Sequence, residues 1–559
     1  MLCSEKFSRY AVVVAVFAVQ AVYTFVRFDG FTGGDDIGYA KAAKMLLDFE
    51  YPFYEHHHAH RLGLILPIAF MYRIFGINDF SSLIFPLVVQ AWTLFALTFA
   101  TRKFRFETFL SVLSVGGFDY YQLLYAGKVF PDTLVGLCVL LIHVCFSEEF
   151  AREDKEERAG NFSNKKHKKI ISCLRGLAAG FFLFYAFMSK ETILFALPFT
   201  AFLCLWALRK GFHIFIFSFA LTSFLFFTAY FGFCYATSGD LFLRMTLTER
   251  NAYINPCSYH LYPEAMFRRL TYGFTAVLTD NGMMHPILTG LGSLFFLKKE
   301  RIFPHVFGLG LLICFLSCQF LSISAKYYLP LCLDGRHFLL LIPLAAASSG
   351  VFFEKILHKT TAESKKTGLF FAAVALTACL SCCFLMTKNM SFFWAASCLF
   401  FLSCIVGIIS AKMRMLLLFA VFLIRPAYSL TKQKESGHQN LAAVLKKNFG
   451  TVSEPTLIFT DPVLADSYDY FFAFEPPEKL HFANIENLDT SKLPEGFKIY
   501  FLLNLPQTEI LRRDYGKKIP NALIKKHLKI KPKDVSGEVY LIEANPIFFN
   551  NIFPNGQND

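Results

Sequence analysis

The chain reads as a polytopic α-helical membrane protein with a small α/β unit after it, and three observations lead there. Of its 559 residues 55% are hydrophobic, Phe alone occurring 69 times, and the mean hydropathy of +0.44 is far too apolar for a soluble protein. Apolar runs near bilayer length recur from Tyr10 to Tyr428. After Leu430 those runs stop, and short β-rich stretches alternate with helical patterns.

Charge and cysteine narrow the class. The net charge is +13, yet the segment Thr431–Asp559 holds 16 Lys+Arg against 16 Asp+Glu, so the whole surplus lies in the apolar part. Cations confined to the turns of a membrane segment are orientation signals and ligands for anionic lipid, and no nucleic-acid motif accompanies them. Most of the 15 cysteines, Cys138, Cys145, Cys204, Cys314, Cys379 and Cys382 among them, sit inside apolar runs, where a thiol behaves as a small hydrophobe. No disulfide framework is implied, and after Leu430 there is no cysteine at all. Cys257 and Cys332 fall in loops expected outside, where a bridge between them is one reading.

Taken in order, Lys6 and Arg9 precede the apolar run Tyr10 to Val26, which reads as a signal peptide or a retained first helix; either leaves Phe28 onward on the outer face. From Asp36 to Glu50 the positions Ile37, Ala40, Ala43, Leu46 and Leu47 recur at helical spacing, with Lys41, Lys44 and Asp48 opposite, as in a helix lying in the interface. Leu62 to Phe75 contains Pro67 and Arg73 and is too short to cross. Arg102, Lys103 and Arg105 mark the inside, so Phe80 to Thr101 crosses once. Crossings follow at Glu107 to Ala126 and Phe130 to Phe146, before a charged inner loop from Ser147 to Arg175. Arg175 and Arg209-Lys210 both read as inside, so Gly176 to Leu208 is a short hairpin bent near Lys190-Glu191. Ile214 to Tyr235 leads out to a loop, Thr237 to Tyr272. Six more spans follow: Gly282 to Leu297, Ile302 to Ile323, His337 to Phe353, Gly368 to Thr387, Phe392 to Ala411 and Met413 to Tyr428. The expected total is about 13 crossings, with residues 1–430 as the membrane domain (loop and interfacial helices at 27–79) and residues 431–559 as an exoplasmic α/β domain. Its strands are expected at Thr456 to Thr460, Lys498 to Leu503 and Glu538 to Ile542, and its helices at Asn440 to Lys447 and Thr508 to Tyr515.

The chemistry is expected at Phe31 to Tyr39, Phe-Thr-Gly-Gly-Asp-Asp-Ile-Gly-Tyr, directly after the first apolar run. Two adjacent carboxylates, Asp35 and Asp36, are costly to keep at the mouth of a membrane helix unless something uses them. Arg27, Arg61, Arg244, Arg250, Arg268, Arg269, Lys326 and Arg336 all face outward in this scheme. Cations kept there against the orientation rule suit a ligand bearing phosphate, with snorkelling to lipid headgroups as the alternative. Glu55-His56-His57-His58-Ala59-His60 is the other cluster. Glu55, His56, His58 and His60 are the donors a divalent metal would use, and a titrating loop is the plainer reading.

In their order these pieces resemble the GT-C superfamily of polyprenyl-phosphate-sugar-dependent glycosyltransferases, in the branch of protein O-mannosyltransferases and the aminoarabinose transferase of lipid A. The resemblance covers nearly the whole membrane region. It rests on Gly34-Asp35-Asp36 with Tyr39, then Arg61 to Gly76 ending in Phe75-Gly76, and Tyr125 to Asp132 with Pro131-Asp132. The bend Phe187-Met188-Ser189-Lys190-Glu191 comes next, and then Arg336-His337 before an apolar span with Pro343. The chain departs from the family pattern at Asp35-Asp36, usually Asp-Glu, and at Arg61-Leu62-Gly63, where a Pro-Pro pair usually follows the basic residue.

The resemblance implies an inverting membrane enzyme that moves a monosaccharide from a polyprenyl-phosphate donor to lipid A, a glycan or a protein. By it Asp35 is the base, with Asp36 beside it, and Lys190 holds the donor phosphate with Arg336 assisting. Tyr39, Arg61, Asp132, Glu191 and His337 line the same cavity. It implies the lipid bilayer as a partner, no nucleic acid, and the plasma (inner) membrane as location. Local sequence alone also permits Asp35 or Asp36 as a helix cap, Pro131-Asp132 as a helix start, and Lys190-Glu191 as a solvated turn. A transporter or flippase for a lipid-linked anion is the rival function. The absence of an internal repeat and the gathering of charge at outer helix ends speak against it.

Overall fold

The computed structural model describes residues 2–28, 30–31, 34–50, 57–159, 165–250, 263–297, 305–324, 328–358, 362–384, 390–406, 409–432, 437–488, 494–515 and 533–544. The apolar runs form α1 (Leu2–Arg27), α2 (Asp35–Leu47), α3 (Leu62–Phe75), α4 (Asp79–Thr101), α5 (Phe106–Phe118), α6 (Tyr120–Ala126), α7 (Asp132–Ala159), α8 (Lys165–Ser189), α9 (Leu197–Arg209) and α10 (His213–Ser238). Short α11 (Leu243–Arg250), α12 (Pro263–Arg268) and α13 (Phe274–Asp280) precede α14 (Met284–Leu291), α15 (Val306–Phe320), α16 (Leu341–His358), α17 (Ala362–Phe384), α18 (Ser391–Val406) and α19 (Ala411–Leu430). Among the described residues eight helical segments are long and apolar enough to cross a bilayer: the Phe7–Arg27, Asp79–Thr101, Asp132–Arg152, His167–Ser189, Glu191–Arg209, His213–Ser238, Ser364–Cys383 and Ala411–Leu430 stretches. Shorter apolar helices occupy several of the other expected crossings, at Phe106–Phe118, Met284–Phe296, Val306–Phe320 and Ser391–Val406.

The bundle is organised around α16. Its run Ala345-Ala346-Ala347-Ser348-Ser349-Gly350 is buried, and small side chains there let neighbouring backbones approach closely. Ser348 donates to the Gly290 carbonyl of α14 at 2.8 Å, a bond that the absence of bulk at Gly290 permits. The α3 helix is as short as its sequence suggests: 14 residues with Pro67 inside, ending at Gly76 with φ of +71°. Asn78 then starts α4, its side chain accepting from the Ser81 backbone while Ser81 reciprocates.

The structure alters the sequence reading in three places. Most of the charged stretch expected as a loop from Ser147 to Arg175 is helical. α7 continues to Ala159 and α8 begins at Lys165, and Glu149 of α7 holds the two helices together: it accepts from Ser172 at 2.8 Å and pairs with Arg175 at 3.1 Å, both of α8, while Arg152 on its own helix steadies it at 2.6 Å. The span from Glu107 to Ala126 is broken at Asp119, whose carboxylate accepts from the Gln122 backbone and caps α6. The loop from Thr237 to Tyr272 contains helical pieces, α11 and α12, and the fully buried Arg269 ties its end to the bundle by donating to Leu331, Gln319 and Cys318.

The C-terminal unit is a five-stranded sheet, β1 (Thr456–Thr460), β2 (Leu480–Asn484), β3 (Lys498–Asn504), β4 (Asp534–Ser536) and β5 (Val539–Ala544), in the order β2-β1-β3-β5-β4. β1 is parallel to β2 and β3, while β5 runs antiparallel to β3 and β4. α20 (His438–Phe449) covers one face with Leu441, Val444, Leu445 and Phe449, and α21 (Pro462–Ser467) comes directly after β1; Leu511 of α22 (Leu505–Tyr515) packs on the other face. Burial on both faces explains why β3 reads as a continuous apolar run.

Candidate active site

Asp35 and Asp36 open α2, whose preceding residue, Gly34, caps nothing with a side chain. The two carboxylates go opposite ways. Asp36 is completely buried, whereas the Asp35 side chain keeps 32% of its exposure and receives the Arg336 Nη1 at 3.1 Å. His58 Nδ1 stands 4.0 Å from the other Asp35 oxygen. Burial pushes the Asp35 carboxyl up, but Arg336, Arg61 and Lys190 outweigh it and hold the group below its ordinary range. It is an ionised carboxylate with an open side.

α2 keeps this orientation because Ile37, Tyr39, Ala40 and Ala43 bury against Leu64, Ile65, Ile68 and Ala69 of α3. The sequence places the helix in the interface on that apolar face, which packs on α3 instead, and its opposite face carries Lys41 and Lys44. They pair with Asp469 at 3.0 Å and Glu475 at 3.1 Å of the C-terminal unit.

Next to Arg336 in the chain, His337 reaches a second cluster. Lys190, in extended conformation where α8 ends, places Nζ 2.5 Å from Asp132 Oδ1 and 3.1 Å from His337 Nδ1. His337 lies 3.8 Å from the same Asp132 oxygen. Asp132 is the first residue of α7, after Pro131, so its carboxylate enters the cluster from a fixed helix end. Its Oδ2 is buried with no hydrogen-bond partner among the described residues. The Arg336 guanidinium lies over the Phe130 ring at 5.0 Å.

Glu191 ties in the third group. It accepts from Arg61 at 3.1 Å and from Arg244 at 2.8 Å, and Arg61 also donates to the Tyr39 hydroxyl. Arg244 lies over the Phe187 ring at 4.8 Å and donates to the Phe187 carbonyl, which fixes the bend before Lys190. Tyr39 packs its ring on His58 at 5.3 Å, and burial pushes its phenol above the ordinary range.

Asp35, Tyr39, Arg61, Asp132, Lys190, Glu191, Arg336 and His337 therefore meet at one end of the bundle, drawn from α2, the start of α3, α7, the Lys190 bend and the turn before α16. Asp36 is next to the cluster but packed away. Arg244, singled out in the sequence only as an outward cation, belongs to the site, and so does Phe130, which lies inside the Tyr125 to Asp132 motif but is not singled out by it. The histidines spread in different directions. His57 is buried, His58 faces Asp35, and His60 faces the Tyr230 hydroxyl at 3.3 Å. Glu55 and His56 lie outside the described residues, and among the described residues no three His, Cys, Asp or Glu side chains gather as a metal site.

An ionised, accessible carboxylate beside fixed guanidinium and ammonium groups is equipped to take a proton from an incoming nucleophile and to hold an anionic leaving group.

No family model matches the chain, and no curated protein does. Solved structures do match. ArnT from Cupriavidus metallidurans in the apo state superposes with a TM-score of 0.55, at 11% identity over 97% of this chain and 99% of that one. ArnT from Cupriavidus metallidurans bound to undecaprenyl phosphate gives 0.52, at 12% identity over 96% and 99%. The chain therefore shares the fold of these ArnT structures over nearly its whole length, from its first helix to its C-terminal sheet.

Proposed function

We propose that this protein is an inverting glycosyltransferase that takes a monosaccharide from a polyprenyl-phosphate donor. The observation that carries the reading is Asp35, exposed on one side and held at 3.1 Å by Arg336, in a fold that ArnT uses with undecaprenyl phosphate bound. In the reaction an acceptor hydroxyl or amine attacks the anomeric carbon while Asp35 takes its proton. The bond from the anomeric carbon to the phosphate oxygen breaks, and the electron pair leaves on polyprenyl phosphate. Arg336, Lys190 and Arg61 are the cations available to that phosphate. Lys190 is already paired with Asp132, so phosphate binding would share its charge between the two.

The site is assigned to the outer face of the plasma (inner) membrane, with residues 431–559 as an exoplasmic domain beside it. Cys332, four residues before Arg336, is disulfide-bonded, which suits an oxidising compartment on that side. The acceptor class is lipid A, another glycan or a protein. A flippase reading fits less well, because the charged groups cluster at helix starts and bends at one end of the bundle. The test is to give the purified protein polyprenyl-phosphate monosaccharides with lipid A, glycan and peptide acceptors, and to follow release of polyprenyl phosphate and the anomeric configuration of the product. Inverted product supports the enzyme. Unconsumed donor that changes leaflet in vesicles would instead establish a flippase.

A further inference from the structure

Gly30, five residues before Asp35, meets the C-terminal unit at a histidine. The ring of His438, the first residue of α20, lies on the backbone of Gly30: a Cβ built there would come 1.9 Å from His438 Cγ and 2.1 Å from its Cβ, and Gly30 has φ of +82°. No other residue fits this position. The Gly30 carbonyl meanwhile accepts from the Lys128 ammonium. Phe28 and Phe31 flank the same imidazole with ring centroids at 6.1 and 5.9 Å, and Phe471 closes it at 4.9 Å.

The imidazole is itself fixed from the bundle side. His438 Nε2 is 3.3 Å from both oxygens of Asp79, the first residue of α4. Tyr470 donates to the same carboxylate at 2.9 Å and contacts Ser82 at 3.2 Å, and Ser82 is 2.7 Å from the Tyr72 hydroxyl of α3. One histidine thus joins the C-terminal sheet unit, the start of α4 and Gly30, five residues before Asp35.

We propose that His438 is a positioning residue for Asp35, acting through Gly30 and Asp79, so that the C-terminal unit is a working part of the active site and not a separate module. This rests on the glycosyl-transfer reading for its catalytic consequence, though not for its structural one. His438 touches neither Asp35 nor the Lys190 cluster in any described contact. Its effect is on where α2 begins, and α2 has no side-chain cap to set that start by itself. Small displacements of a catalytic carboxylate cost rate far more than ground-state binding.

The experiment compares the full-length wild type, His438→Ala, His438→Gln and Gly30→Ala in detergent. Two measurements are made on each: backbone hydrogen exchange resolved to residues 28–40 and to strands β1 and β3, and, where sugar is transferred, kcat and donor KM. The expected result is faster exchange in 28–40 for His438→Ala and Gly30→Ala, with the strands still protected as proof of folding. Their kcat should fall roughly tenfold to a hundredfold at nearly unchanged donor KM. Gln keeps a donor near the Nε2 position, so His438→Gln should recover most of both. Exchange in 28–40 that stays at the wild-type level in both His438→Ala and Gly30→Ala would overturn the proposal, as would a kcat loss that His438→Gln fails to relieve. If the wild type transfers no sugar from any donor, the functional reading falls, while the exchange data still decide the positioning role.

Discussion

Lys190 and Asp132, 58 residues apart, meet with Nζ 2.5 Å from Oδ1 where the bend after α8 touches the first residue of α7. The pair is almost fully buried, at 8% and 1% side-chain exposure. Such a pair is held in place by geometry and by its further contact to His337, and removing one partner leaves an uncompensated charge.

Lys190→Ala should therefore do two things. It should lower use of the donor by about 10²–10³-fold through lost phosphate stabilisation, and it should lower the melting temperature because Asp132 is left buried and unpaired. The double variant Lys190→Ala/Asp132→Asn should regain stability without regaining activity. Initial rates at low donor and a thermal melt separate the effects; normal turnover by Lys190→Ala would remove it from the site.

The Asp35 carboxyl is held below its ordinary range, with burial opposing and Arg336 the leading cation. A base with a depressed pKa stays ionised as pH falls, so the acid limb of kcat/KM should lie below about pH 4, the ordinary carboxylate value. Its contribution to stability is present above the unfolded pKa and lost as pH falls through the folded one. Arg336→Gln should move the acid limb upward. A pH-rate profile that Arg336→Gln leaves in place would show that Asp35 is not the titrating base.

Glu191 accepts from both Arg61 and Arg244, and Arg61 in turn bonds Tyr39. Glu191→Gln leaves the shape but weakens two charge-assisted bonds, so donor KM should rise about tenfold, with a smaller effect on kcat. Steady-state kinetics across donor concentration check this; an unchanged KM would mean that the cluster serves folding alone.

How much of this was legible in the sequence depends on distance along the chain. The apolar runs that became α4, α7, α10 and α19 depend on local composition and were readable, and so was the helical face of Ile37, Ala40 and Ala43. Asp35, Asp132, Lys190 and Arg336 were singled out by the order of short motifs, and the fold brings them to one end of the bundle. The Glu191 bond to Arg244 and the His438 contact with Gly30 were not readable, because each depends on tertiary packing that leaves no periodicity. β2 and β4 were missed for another reason: β2, Leu-His-Phe-Ala-Asn, lacks β-branched residues, and β4 has only three residues. The run from Ser147 to Ala159 was read as a loop from its charge, whereas α7 continues through it and Glu149 pairs across to α8.

A reporter fused after Leu430 should be active only outside the cytoplasm, because the Lys/Arg-rich turns are expected inside and the disulfide-bonded Cys332 is expected on the other side. Activity of the same reporter in the cytoplasm would invert the topology and move Asp35 with it.

The most direct measurement is sugar transfer by purified Asp35→Asn protein. Asn keeps the shape and a hydrogen-bond acceptor for the start of α2 but cannot take a proton, so folding and expression should stay close to wild type while transfer falls by at least about 10²-fold. A helix-start role alone would give the opposite pattern, mild instability with activity kept. Folded Asp35→Asn that transfers sugar at close to the wild-type rate would contradict Asp35 as the base.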